Sequence, residues 1–159
     1  METISLARSG RFVVTSVSSD AHMWNLVFLQ LLLEERGGEV INLGACVPDE
    51  VILAECRLAR PDALVVSTVN GHGHLDGLRL IRKIRSDAEL ADLRVVIGGK
   101  LGVRGAANAQ FSAELVDAGF DAAFESEAGL AEFDSFLGAL PNNDTHRREL
   151  AGAAEGGAK

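Results

Sequence analysis

The chain has 159 residues, 47% of them hydrophobic, enough for one domain with a sizeable core and too few for two. A formal net charge of −8, with no local basic stripe, excludes a nucleic-acid surface and an anionic-membrane surface. No apolar stretch approaches the length of a membrane span and no signal-peptide pattern opens the chain, so a cytoplasmic location is expected.

After a lead of residues 1–10, "RFVVTSV" (11–17) is a β-branched run that stops at a serine cluster. "WNLVFLQLLLEERGG" (24–38) then carries a dense apolar pattern into a glycine stop, so strand, loop and helix follow one another. "EVINLG" (39–44) predicts a second strand. Pro48 and two acids open the helix "DEVILAECRLAR" (49–60), as a helix N-terminus prefers. "DALVVSTV" (62–69) is a nearly continuous apolar strand of the buried parallel kind, followed by the loop "NGHGH" and the amphipathic "LDGLRLIRKIRSD" (75–87). "LRVVIGG" (93–99) is the fourth strand, and "AANAQFSAELVDAG" (106–119) the fourth helix, closed by Gly119. "FDAAFE" (120–125) and "EAGLAEFDSFLGAL" (127–140) complete the alternation, and residues 141–159 read as a disordered polar tail. Cys46 and Cys56 match no zinc or CxxC spacing and are expected as reduced thiols.

Five strand–helix units predict an α/β, flavodoxin-like, Rossmann-like parallel sheet of order 2-1-3-4-5 with helices on both faces. In that order the polar or glycine-rich stretches 18–22, 67–74 and 98–105 fall at the carboxyl ends of three adjacent strands and converge on one crevice. The phosphate fingerprints GxxxxGK[ST] and GxGxxG are missing from the first unit, and the third strand ends in Ser67, Thr68 and Val69 where a phosphoacceptor domain needs aspartate. Gly98 and Gly99 beside Ser67 and Val69 read in two ways, as a turn or as a slot admitting a flat group close to backbone. His72 and His74 lack further ligands for a metal and are expected in a solvated loop. Taken alone, His22 reads as a polar residue capping the following helix or as a partly buried imidazole held by Asp20.

Asp20-Ala21-His22, Ser67-Thr68-Val69 and Gly98-Gly99 resemble the Asp-x-His-x-x-Gly, Ser-x-Leu and Gly-Gly motifs of the cobalamin-binding domain family, in order and on the matching units. Within that family, residues 11–140 look most like the small subunits of glutamate mutases. The resemblance implies adenosylcobalamin bound base-off/His-on, with His22 as the lower axial cobalt ligand and Asp20 supporting its other ring nitrogen. It further implies that Ser67 hydrogen-bonds the base of the displaced nucleotide tail, that Val69, Gly98 and Gly99 line its slot, and that Thr68 belongs to the same cofactor-binding stretch. Ser19, Ala21, Met23 and the segment Lys100, Leu101, Gly102, Val103 and Arg104 would complete the walls. The implied activity is radical interconversion of L-glutamate and 3-methylaspartate, with no catalytic residue in this chain alone. A large barrel-type subunit would supply the substrate site, in a heterotetramer. A corrinoid methyl carrier or a cobalamin-linked regulatory module is the alternative. Two positions depart from the motifs: Val69 replaces Leu, a mild change in a slot wall, and Asn25 replaces the glycine three after the histidine; since asparagine tolerates left-handed backbone, the loop shape is expected to survive with altered corrin packing.

Overall fold

Parallel pairing of strands buried on both faces demands near-continuous apolar runs, and residues 12–14, 63–66 and 95–97 meet that demand in the three inner strands. A computed structural model describes residues 10–100, 108–125 and 129–140. The strands are β1 (Arg11–Thr15), β2 (Glu39–Asn42), β3 (Ala63–Thr68), β4 (Arg94–Gly99) and β5 (Ala122–Glu125). They alternate with α1 (Trp24–Glu35), α2 (Asp49–Ala59), α3 (Gly73–Ser86), α4 (Asn108–Ala118) and α5 (Gly129–Ala139). The sheet is wholly parallel in the predicted order β2-β1-β3-β4-β5.

Alternation along the strands sorts the core into two layers. Val13, Leu64, Val66, Val95 and Ile97 face α2, α3 and α4, where Ile52, Leu80, Ile81, Ile84 and Leu115 close over them. Phe12, Val14, Ala63, Val65 and Val96 face the other way, against Leu26 and Leu33 of α1 and Phe133 of α5. Truncating a fully buried member such as Ile97 to alanine would cost about 2–5 kcal/mol. The outward side of α1 is also apolar: Trp24 is 87% exposed, and Phe28 and Leu31 are exposed as well.

Two helices on the crowded face are braced by charge. Asp49, in the first turn of α2, is buried and accepts from Arg79 Nε at 2.7 Å, with Lys83 Nζ at 3.2 Å, both from α3. Burial raises its pKa, but the hydrogen bonds and charges of Arg79 and Lys83 outweigh that and hold it below the ordinary value. Cys56, buried on α2, has its thiol pushed up to about 12, chiefly by burial, which leaves it unreactive.

Several boundaries differ from the sequence reading. The helix expected from 75 begins at Gly73, because Asn70 Oδ1 accepts the His72 N–H and turns the chain early. His74 is thereby helical: it stacks on Phe111 at 4.2 Å and pairs with Glu114 across 2.6 Å, instead of standing in a solvated loop. Gly98 and Gly99 lie inside β4, in register with Ser67 and Thr68, so they are strand residues and no turn.

Candidate functional site

The loop between β1 and α1 is fixed at both ends before any side chain matters. Asp20 N donates to Val17 O, and the Asp20 carbonyl accepts from Cys46 N in the loop after β2, at 2.8 Å. This brings the Asp20 side chain down onto the end of β3, where it is fully buried. One carboxylate oxygen accepts from Thr68 Oγ1 at 2.8 Å and from the Val69 N–H at 2.7 Å. The other accepts the His22 N–H at 2.9 Å and meets His22 Nδ1 at 2.7 Å. Burial alone would raise the Asp20 pKa, but the donors from His22, Val69 and Thr68 outweigh it and lower it to about 2.

An ionised carboxylate accepts only, so His22 Nδ1 carries a proton, and in the neutral ring the free lone pair is on Nε2. The His22 side chain is 62% exposed, and its Nε2 has no partner among the described residues. A buried anion thus fixes the tautomer and orientation of an outward imidazole, the usual arrangement behind a metal-ligating histidine. No cluster of three or more His, Cys, Asp or Glu able to hold a metal exists among the described residues. The site therefore suits a metal that brings most of its own ligands and needs one nitrogen.

Beside this loop a cavity of about 670 Å³ opens between the carboxyl half of the sheet and helices α1 and α5. Ser67, Val69, Gly98, Gly99 and Lys100 line it, with Phe28 of α1 and Phe133 of α5 on the opposite walls. Its floor depends on glycine. At Gly99, φ is +103° and a Cβ would stand 2.1 Å from the Thr68 carbonyl oxygen, so any side chain would force β4 away from β3. The Lys100 N–H donates to that same oxygen at 2.8 Å.

The structure brings together most of the residues singled out from sequence, in two groups. Asp20, His22, Thr68 and the Val69 backbone form the anchored imidazole; Ser67, Val69, Gly98, Gly99 and Lys100 line the cavity. Ser19, Ala21 and Met23 are exposed on the His22 loop, outside the cavity lining. Ser19 hydrogen-bonds Asp76 and Asn70, so Asn70 has a part in shaping the loop that its residue type alone did not signal. Leu101, Gly102, Val103 and Arg104 lie outside the described residues. Asn25 corrects an expectation: it sits in the first turn of α1, with no positive φ, and its Nδ2 donates to Ser67 Oγ at 2.8 Å. Sequence reading missed Phe28, Leu29, Phe124, Leu130 and Phe133 as cavity walls. For the helical ones the signal is that apolar residues of α1 and α5 recur at helical spacing; Phe124 lies in β5 and reads as an ordinary strand core residue.

Residues 10–131, which span the anchored imidazole and most of the cavity lining, match the family model described as B12 binding domain. The chain belongs to that family. Among relatives of this B12-binding domain, the glutamate mutase sigma subunit of Fusobacterium nucleatum is 32% identical over 92 residues, 58% of this chain and 67% of the relative. Glutamate mutase sigma subunit 1 of Haloarcula marismortui is 31% identical over 111 residues, 70% of this chain and 72% of the relative. This B12-binding domain thus groups with the small subunits of glutamate mutases. A solved cobalamin-binding protein from Desulfitobacterium hafniense shares the fold with a TM-score of 0.64 at 20% identity; the match covers 82% of this chain and 60% of that one. No described helix is long and apolar enough to cross a membrane.

Proposed function

We propose that this B12-binding domain, residues 11–140, is the cofactor-carrying small subunit of an adenosylcobalamin-dependent glutamate mutase. It would work with a larger, barrel-type subunit, in a heterotetramer, to interconvert L-glutamate and 3-methylaspartate. The observation that carries the reading is His22: exposed, its Nδ1 held by buried Asp20, which also grips Val69, a wall residue of a slot that can take a nucleotide tail. The similarity to glutamate mutase sigma subunits supports the choice of mutase.

Cobalamin, when bound, would supply a cobalt–carbon bond able to break homolytically, which no side chain can offer. The work of this chain would be to hold it. His22 Nε2 would be the lower axial ligand, base-off/His-on, and Asp20 would keep the ring turned outward and raise its basicity. The tail displaced from cobalt would enter the cavity past Ser67 and Val69, against Gly98 and Gly99. Ser19, Ala21 and Met23 would border the corrin on the His22 loop, with Lys100 and the segment from Leu101 to Arg104 at the other rim. Met23 and Trp24, both exposed, would meet corrin or the large subunit.

Purified protein mixed with hydroxocobalamin should shift to a base-off absorption spectrum. The cob(II)alamin form should show nitrogen coupling by electron paramagnetic resonance, and His22→Gly should lose that coupling while keeping its circular dichroism. Absence of any binding at tens of micromolar corrinoid overturns the reading. Binding without mutase activity in the presence of a large subunit and adenosylcobalamin would leave a methyl carrier or a regulatory module as the function.

A further inference from the structure

The two serines that precede Asp20 are held from another unit of the fold. Ser18 Oγ accepts from Arg79 Nη2 at 3.0 Å. Ser19 Oγ donates to Asp76 Oδ2 at 2.5 Å and accepts from Asn70 Nδ2 at 3.0 Å. Asp76 stands in the first turn of α3, its side chain 13% exposed, and its other oxygen takes Arg79 Nη1 at 2.9 Å. Asn70 is likewise tied at both ends of its amide, because its oxygen accepts the His72 N–H. A hydroxyl has one proton to give, and that of Ser19 goes to Asp76. Although Ser19 is exposed, it keeps no donor for a ligand, so what it does is hold the chain in place one residue before Asp20 and three before His22.

We propose that Asp76, together with Asn70, is a positioning residue for the cobalt ligand: through Ser19 Oγ it fixes where the His22 loop stands over the sheet, and so where Nε2 is presented. This rests on the corrinoid reading above, in which Nε2 is the axial ligand. Asp20 grips the imidazole and is bolted to the end of β3, which sets the ring's tautomer and orientation. A single anchor of this kind leaves the backbone leading into it free to swing. The Ser19 clamp removes that freedom, and the charge on Asp76 makes its hydrogen bond the stronger of the two. α3 packs on the face of the sheet opposite the cavity, so Asp76 acts on the ligand only through the loop. A coordinate bond tolerates little displacement: a ligand held within about 0.5 Å of its productive place binds, and one left loose binds weakly.

The test titrates the purified chain with hydroxocobalamin by absorbance and reads nitrogen coupling in the cob(II)alamin form by electron paramagnetic resonance, so no large subunit is needed. Ser19→Ala and Asp76→Ala should each weaken binding about five- to tenfold, the scale of one charge-assisted hydrogen bond, and should diminish the nitrogen coupling. The double variant should lie within about twofold of the weaker single one, because both changes cut the same bond. Ser19→Thr, which keeps the hydroxyl, should restore affinity and coupling together. On a His22→Gly background, Ser19→Ala should change the remaining affinity by less than about twofold, since the clamp then has no imidazole to place. Wild-type affinity and coupling in Ser19→Ala overturn the inference and leave the corrinoid reading intact. So does a loss that persists in full without His22, which would make Ser19 a direct contact of the corrin. Failure of the wild type itself to bind sinks the corrinoid reading.

Discussion

Asp20 and Asp49 are both carboxylates shut away from solvent, and each is held ionised by different means. Asp49 faces the cations Arg79 and Lys83, so its charge is cancelled locally and the cluster acts as a brace between α2 and α3. Among the described residues Asp20 has no lysine or arginine partner; backbone N–H groups, the Thr68 hydroxyl and an imidazole N–H solvate it instead. Its charge is therefore uncancelled and acts outward through the ring of His22. The comparison separates a carboxylate that stabilises the fold from one that prepares a ligand, though the two are equally hidden.

Exchanging each aspartate for its amide tests that separation, and the largest effect is expected at the first. Asp20→Asn turns an NH2 toward groups that themselves donate, misorienting His22, and should weaken corrinoid binding roughly 10–100-fold as read by absorbance titration. Unchanged affinity would remove Asp20 from any role in ligation.

The second effect is on acid stability. Asp20 titrates at about 2 when folded, below its ordinary 3.8. A depressed carboxylate contributes stability that is present above the unfolded value and is lost as pH falls through the folded one, here between about pH 5 and pH 2. That difference corresponds to about 2 kcal/mol. Urea unfolding should show the wild type losing this much more than Asp20→Asn over that range; parallel acid limbs would contradict the assignment.

The smallest effect is expected at Asp49→Asn. It should lower the urea-unfolding free energy by about 1–2 kcal/mol, between the values for exposed and buried pairs because Arg79 is part-exposed and keeps Asp76 as partner. Corrinoid affinity should not change, and a loss comparable to that of Asp20→Asn would erase the distinction between the two residues.

The sheet order was legible because apolar runs alternate regularly with helical segments and each crossover is short, which leaves few ways to connect them. His22 and Asp20 were legible as a pair through their spacing, and Gly98-Gly99 through residue type. The Val69 N–H was not, since every residue but proline has one and only the fold aims it at Asp20. Asn25 was read by its backbone tolerance, yet its importance lies in its side chain, which reaches a residue 42 positions away. The aromatic walls Phe124 and Phe133 were hidden for a similar reason: in sequence they are ordinary core residues, and only the packing of α5 leaves space beside them. The early start of α3 escaped because a run of glycine and histidine resembles a turn until Asn70 is seen capping it.

Asp20 also joins the His22 loop to the sheet, since the carboxylate that grips the imidazole is bolted to Thr68 and Val69 at the end of β3. β3 is the central strand, flanked on both sides and buried along its length. Whatever sits on Nε2 is thus referenced to the stiffest part of the molecule and not to a loop. A partner subunit docking over that face would meet its target at a reproducible height and tilt, with no adjustment to make on this side of the joint.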